Sequence, residues 1–353
     1  MRGSAEAPFE IAVIITPRFN LAATMNFLDP LRAANYLDGK PHYAWRVVSQ
    51  EGGLIEASNR LSLASEPLSE MTSVPQLAIV SSSWTPEVYA APSLLSALRR
   101  WARFGAGLGA IDTGAFILAV AGLLSGRTAT VHYEHMDAFA ELHDDIKVSE
   151  DLYVIDADRL TCGGGSASID LALQLIRATQ GEALANAAAR YILYDRMRPP
   201  GTRQSPDAQE PIGATTTPSK LKIAIQIMER HLEEPRTIAL IAEETGLSQR
   251  QLERLFTSYV GKSPLQYYRD IRLDRARGLV TQTEMPVWEV ALACGFSSPE
   301  HFSRAYKSRF GLAPRVDRVD GRVPFEFRAW PMHSGAEISS TPSPVKPPEQ
   351  DDV

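Results

Sequence analysis

Two stretches near the C-terminal end repeat one another, and this duplication limits the possible folds more than any other feature. The first reads Ile238-Ala-Leu-Ile-Ala-Glu-Glu-Thr-Gly-Leu-Ser248 and the second Val287-Trp-Glu-Val-Ala-Leu-Ala-Cys-Gly-Phe-Ser297. Gly246 matches Gly295, and after one inserted residue the match resumes: Arg254 with Arg304, Phe256 with Tyr306, Gly261 with Gly311, Pro264 with Pro314. Each unit predicts a short amphipathic helix ended by a glycine that can turn left-handed. An apolar plug follows, and then a serine, Ser248 or Ser297, that caps the next helix. Two helices joined in this way form a helix-turn-helix, whose second helix fits the DNA major groove. Between the units, Pro264 to about Val280 predicts one long helix. About 17 residues at 1.5 Å each span roughly 25 Å, which sets the two reading helices about one DNA turn apart.

The second unit, VALACGFSSPEHFSRAYKSRFGLAP, resembles the AraC/XylS family of regulators, and the likeness extends over about 100 residues. The one departure is Ala313, where that family usually has serine. By position, the resemblance assigns base reading to Arg250, Glu253 and Arg254 in the first unit and to Glu300, His301 and Arg304 in the second. Arginine can pair bidentately with guanine and glutamate can accept from cytosine. Ser248, Gln251, Ser298 and Lys307 then fall to phosphates. A solvated helix face explains any one of these residues equally well, but not the duplicated pattern.

Charge follows the same division. Of 36 Lys+Arg and 42 Asp+Glu in the chain, 17 and 13 lie between Ser219 and Arg322. That segment carries +4 and the remainder −10, as expected if nucleic acid meets one end only. Residues 8–197 are expected to form an N-terminal domain, 198–218 (rich in Pro, Thr and Gly) a linker, 219–322 the DNA-binding domain, and 331–353 a disordered tail.

In the first segment, Ile11–Ile15, Trp45–Ser49, Leu77–Ser81, Gly107–Ile111 and Leu152–Ile155 are candidate strands. Helical patterns at Leu28–Leu37, Leu94–Phe104, Ala115–Leu123 and Ser168–Thr179 alternate with them. The alternation predicts an α/β fold: a doubly wound parallel sheet with helices on both faces, followed by the all-α pair of helix-turn-helix units. Ligands of such sheets bind at the carboxyl ends of the strands. There, Gly107-Leu-Gly-Ala-Ile-Asp112-Thr-Gly-Ala runs from strand to helix through small residues, a sharp turn of the kind that presents its central residue to a pocket.

DTGAFILAVAGLLSGRTATVHYE, with FLDPLRAAN before it and LTCGGGSASIDLALQLI after it, resembles the flavodoxin-like, class I glutamine-amidotransferase-like (PfpI-like) fold. More narrowly, it is similar to the ligand-sensing half of GlxA-type regulators. Enzymes of that fold carry a cysteine at the turn; here the position is Asp112, and the loop Arg18–Leu28 lacks the acid those enzymes hold. His132 matches a family histidine but has no nucleophile to activate. Cys162 lies in a different, glycine-rich stretch, where a buried inert thiol is expected. The resemblance therefore implies no catalytic residue and no cofactor. A hydrolase or lyase of the PfpI-like class is the alternative, resting on the fold signature alone and opposed by Asp112.

Regulators of carnitine, glycine betaine and arginine metabolism are similar in carrying Asp-Thr-Gly at this turn, which implies a small amine, betaine or amino-acid effector. Asp112 would meet its cation and Trp84 and Tyr133 would supply aromatic faces. His132 and Thr113 line the same region, and backbone N–H groups from Thr113 onward would receive an effector carboxylate. Two other readings stand beside these: Asp112 as a cap for the helix starting near Ala115, and Trp84 as a partly buried core or dimer contact.

The two cysteines, Cys162 and Cys294, show no disulfide framework and no metal-ligand spacing, so no metal is expected. No apolar run reaches a membrane span, and MRGSAEAPFE lacks a signal-peptide core. The expected setting is the cytoplasm, with an operator in double-stranded DNA, RNA polymerase and a second copy of the chain as partners, and activation as the outcome.

Overall fold

Runs such as FEIAVII and LAIVSS are buried along nearly their whole length, as strands covered by helices above and below must be. The protein is described here by a computed structural model covering residues 7–204 and 218–321. Its strands, in chain order, are β1 (Phe9–Ile15), β2 (Tyr43–Ser49), β3 (Gly53–Glu56), β4 (Ser62–Pro67), β5 (Leu77–Ser82), β6 (Gly107–Asp112), β7 (Thr128–Ala129), β8 (Lys147–Val148), β9 (Tyr153–Asp156) and β10 (Arg159–Cys162). Eight of them form one sheet in the order β3-β4-β2-β1-β5-β6-β10-β9, and β7 pairs with β8 apart from it.

The strands from β4 through β10 in that order run parallel. The edge strands β3 and β9 run antiparallel to their neighbours. The parallel sheet expected from the sequence is therefore a mixed one. Leu152–Ile155 is only half of a hairpin that turns at Ala157, which has φ +55°. Neither glycine nor proline marks that turn, so β10, the inner parallel strand beside β6, was not legible in the pattern.

The helices of this domain are α1 (Leu21–Asp38), α2 (Pro92–Arg103), α3 (Gly114–Val120), α4 (Met136–Leu142), α5 (Ala167–Gln180) and α6 (Glu182–Tyr191). Helices α1, α5 and α6 cover one face of the sheet, packing Phe27, Leu31, Leu171 and Ile176 against Val13 and Ile79. Helices α2 and α3 cover the other, with Trp101 and Ile117 against Val80 and Leu108. Helix α1 starts seven residues before the predicted helix, because Asn20 caps it by accepting from Ala23 N at 3.1 Å. It also contains Pro30, which costs one backbone hydrogen bond but sits on the buried face. Past α6 the chain stays docked. Arg198 donates to the fully buried Asp170 through its backbone N–H and guanidinium, both at 2.8 Å. Gln204 donates to Thr130 Oγ1 at 2.8 Å. The rest of the expected linker, 205–217, and the expected tail lie outside the described residues.

The C-terminal domain consists of α7 (Ser219–Arg230), α8 (Ile238–Glu244), α9 (Gln249–Val260), α10 (Pro264–Gln282), α11 (Val287–Ala293), α12 (Pro299–Phe310) and α13 (Pro314–Gly321). Two cores share α10. Tyr267 and Tyr268 at its start pack with Leu221, Ile241, Leu252 and Phe256. Leu273, Ala276 and Val280 further along pack with Val290, Phe296, Phe302 and Tyr306. Ion pairs lock the second unit to the same helix. Arg309 reaches Asp270 at 3.0 Å and Asp274 at 2.6 Å. Arg277 holds the fully buried Asp317 at 2.8 Å, and Tyr306 Oη donates to that carboxylate at 2.7 Å. Gly295 is required twice over. Its φ is +72°, and a Cβ there would lie 2.5 Å from Pro235 Cγ and 2.6 Å from Leu232 O.

Candidate functional site

Helices α9 and α12 are the second members of the two helix-turn-helix units. Ser248 opens α9 with a capping box: its hydroxyl accepts from Gln251 N at 3.3 Å while Gln251 Oε1 accepts from Ser248 N at 2.8 Å. In the second unit the cap is Ser298, accepting from His301 N at 3.3 Å. The expected cap, Ser297, is displaced by the one-residue insertion between the repeats. Ser298 also donates to Glu300 at 2.6 Å, which holds that carboxylate below its usual range. Arg250, Glu253 and Arg254 are exposed on α9, as are Glu300, His301, Arg304 and Lys307 on α12. Leu252, Phe256, Phe302 and Tyr306 face inward between them. One face of each helix is thus core and the opposite face an exposed set of donors and acceptors. Ser248, Gln251 and Ser298 already serve their own helix termini.

The other expected residues gather at the C-terminal ends of β5 and β6. Asp112 ends β6 with φ +60°, a conformation that side-chain-bearing residues rarely adopt and that turns sharply into α3. Its carboxylate is 95% or more out of solvent. Asn20 Nδ2 donates to it at 2.8 Å, and the Thr113 backbone N–H also donates. Burial nevertheless pushes its pKa up to about 7, and Glu134 nearby adds to the rise. No Lys or Arg is paired with it among the described residues.

Asp112 is not the helix cap that one reading expected, for Thr113 occupies that position without a side-chain capping bond. Thr113 is itself fully buried and donates its hydroxyl to Ser83 O. Its N–H serves Asp112 and α3 is only seven residues long. The expectation that this helix start receives a carboxylate therefore loses its first donor.

His132 begins the turn between β7 and α4, its ring tilted against Tyr133 with centroids 4.5 Å apart. Tyr133 is half exposed and its hydroxyl lies 3.5 Å from Glu134 Oε1. Trp84 meets the edge of His135 at 6.1 Å. His132, Tyr133 and Trp84 are thus joined through ring contacts that include His135, and Glu134 acts on Asp112 by charge alone.

Comparison with known proteins bears on both domains. A helix-turn-helix domain family matches residues 241–318. The regulator CdhR of Pseudomonas aeruginosa is 40% identical over 306 residues, covering 87% of this chain and 90% of that one. GlxA of Rhizobium meliloti is 34% identical over 305 residues, covering 86% and 94%. The chain belongs to the AraC-type transcriptional regulators. ArgR of Pseudomonas aeruginosa is 39% identical over 246 residues, 69% of this chain and 74% of that one. A solved AraC family regulator from Pseudomonas putida covers 52% of this chain and all of its own at 24% identity, with a TM-score of 0.49.

The turn carrying His132 to His135, and α4 after it, pack on α10 of the DNA-binding domain. Gln282 Nε2 donates to Glu134 O at 3.1 Å, Gly278 lies under that same carbonyl, and Arg275 pairs with Asp137 at 3.5 Å. Sequence reasoning passed over three residues of this cluster. Asn20 sits in a loop inspected only for an acid, and Glu134 and His135 directly follow His132 and Tyr133 in VHYEH.

A thiol does lie next to Asp112, but burial keeps it inert. Cys162 is fully buried, 3.6 Å from Ser168 Oγ, and burial pushes its pKa up to about 11. No described helix is long and apolar enough to cross a membrane.

Proposed function

We propose that this AraC-type protein is a cytoplasmic activator whose binding to operator DNA is controlled by a small cationic or zwitterionic metabolite held at Asp112. One observation carries the reading: a carboxylate is buried at the carboxyl end of the sheet with no basic side chain paired to it among the described residues, and the charge of a second carboxylate, Glu134, acts on it. Such a group stays protonated or meets a cation brought from outside. An amine or quaternary ammonium group supplies that cation, and Trp84 and Tyr133 supply aromatic faces. In this reading α9 and α12 read bases through Arg250, Glu253, Arg254, Glu300, His301 and Arg304, with Lys307 on phosphate. The chain works as a homodimer that engages RNA polymerase, and it has no catalytic activity of its own.

The experiment is isothermal titration of the purified chain with glycine betaine, carnitine and arginine, repeated with Asp112→Asn. The reading requires that one of these binds and that the variant loses at least tenfold in affinity. Equal binding by the variant, or no binding of any amine or betaine, rejects it.

A further inference from the structure

The sequence offers no metal site, because its two cysteines stand alone; the fold assembles other donors. His132, Glu134 and His135 each present one ligand atom, and the three atoms lie within 4.8 Å of one another. We propose that this turn is a binding site for a divalent transition metal of the zinc class, built at the seam between the N-terminal domain and α10.

The donor set comes first. Two imidazoles and one carboxylate suit Zn²⁺, Ni²⁺ or Cu²⁺, whereas Ca²⁺ and Mg²⁺ ask for oxygen ligands. Metal binding needs neutral imidazoles, the form histidine ordinarily takes at neutral pH.

Geometry comes second. Tetrahedral ligands about 2.0–2.2 Å from a metal stand about 3.3–3.6 Å apart. His132 Nδ1 and Glu134 Oε2 are 3.9 Å apart and no two of the three ligand atoms exceed 4.8 Å, so closing the site takes movements of about 1.5 Å or less. The Glu134 side chain, 32% exposed, can make that movement by rotation while His135 stays buried. The partial exposure of His132 and Glu134 leaves the fourth position to water, the arrangement of an open three-ligand site.

The third argument comes from the other domain. Gln282 on α10 fixes its amide by donating Nε2 to Glu134 O. Its Oε1 is buried and makes no hydrogen bond of good geometry, and the ring beside it is His135. A neutral histidine has a single ring N–H, and metal on one nitrogen places it on the other. Gln282 Oε1, the buried acceptor beside the His135 ring, is at hand for that N–H. Gln282 therefore has the position of an outer-shell partner, of the kind that orients a metal-bound histidine. The site needs neither Asp112 nor an effector.

The test uses the full-length chain stripped with chelator and titrated with Zn²⁺ alone at pH 7.5, with visible absorption of the Co²⁺ form as a second readout. The expected result is one equivalent at micromolar affinity or tighter. Glu134→Gln and His132→Ala should each weaken it about a hundredfold, and Gln282→Leu, from the other domain, by about 10–100-fold. His42→Ala, at a separate His–carboxylate pair 2.7 Å apart, should change nothing. Far-UV circular dichroism of the metal-free variants keeps misfolding apart from ligand loss. Failure to bind one equivalent below about 1 mM, or binding that survives both Glu134→Gln and His132→Ala, overturns the proposal. Unchanged affinity in Gln282→Leu removes the link to α10 and overturns the site as one built at the seam.

Discussion

Raising the pH from 6 to 8 should strengthen effector binding while weakening the empty protein, and the two trends share one cause. The pKa of Asp112 stands at about 7 in the fold against an ordinary 3.8, with burial the main reason. If only the ionised carboxylate binds a quaternary ammonium, the competent fraction rises from about 0.1 at pH 6 to about 0.9 at pH 8. That is about tenfold in affinity, or roughly 1 kcal/mol.

Stability moves the other way. The folded state holds a proton that the unfolded chain has already released above pH 4. This contribution is therefore complete below the unfolded pKa and lost as pH rises through about 7. Between pH 6 and 8 the loss is again roughly 1 kcal/mol, a drop of about 2–4 °C in Tm for a domain of this size. Calorimetry with glycine betaine at pH 6, 7 and 8, in buffers of different ionisation enthalpy, reads the affinity and the proton released at pH 6. Asp112→Asn should flatten both trends and melt higher than the wild type at pH 8. Affinity that is level or falls across this range in the wild type would refute the argument, as would a pH dependence that persists in Asp112→Asn.

Arg304→Ala should relax base preference at one operator position at a cost of about 1–3 kcal/mol, whereas Lys307→Ala should weaken all sequences alike and flatten the salt dependence by about one unit; fluorescence anisotropy across an operator library separates the two. Gly295→Ala should destabilise the DNA-binding domain by more than 2 kcal/mol in urea titration, because strain and overlap with Pro235 and Leu232 combine there. Gly246→Ala, with nothing nearer than 3.6 Å, should cost only about 1 kcal/mol. Asp317→Ala should cost about 3–5 kcal/mol by stranding Arg277 and Tyr306. Cys162 should resist alkylation at pH 8 until the protein unfolds, since its thiol is buried and its pKa lies at about 11; rapid labelling in the native state would reopen the enzyme reading.

Local pattern was enough to identify the DNA-binding half. A helix-turn-helix is specified within about twenty residues by periodicity, a left-handed glycine and a cap, each of which shows in sequence. Positive φ at Gly246, Gly261, Gly295 and Gly311 bears out the turn chemistry read from the repeat. The second cap falls on Ser298 rather than Ser297, and one inserted residue accounts for the shift. The main alternating strands and helices of the first domain were legible for the same reason, but β3, β4 and β10 and helices α4 and α6, all short, were not.

Tertiary structure alone decided what surrounds Asp112. Its pKa depends on burial and on Glu134, 22 positions along the chain, and its hydrogen bond comes from Asn20, 92 positions back. Desolvation and charge proximity act through space and leave no periodic trace in sequence. The seam is the extreme case, for Gln282 and Glu134 are 148 residues apart. Sequence could offer His132, Glu134 and His135 only as neighbours in a string. The turn's local geometry brings their ligand atoms within 4.8 Å of one another, and packing on α10 adds a partner from the other domain.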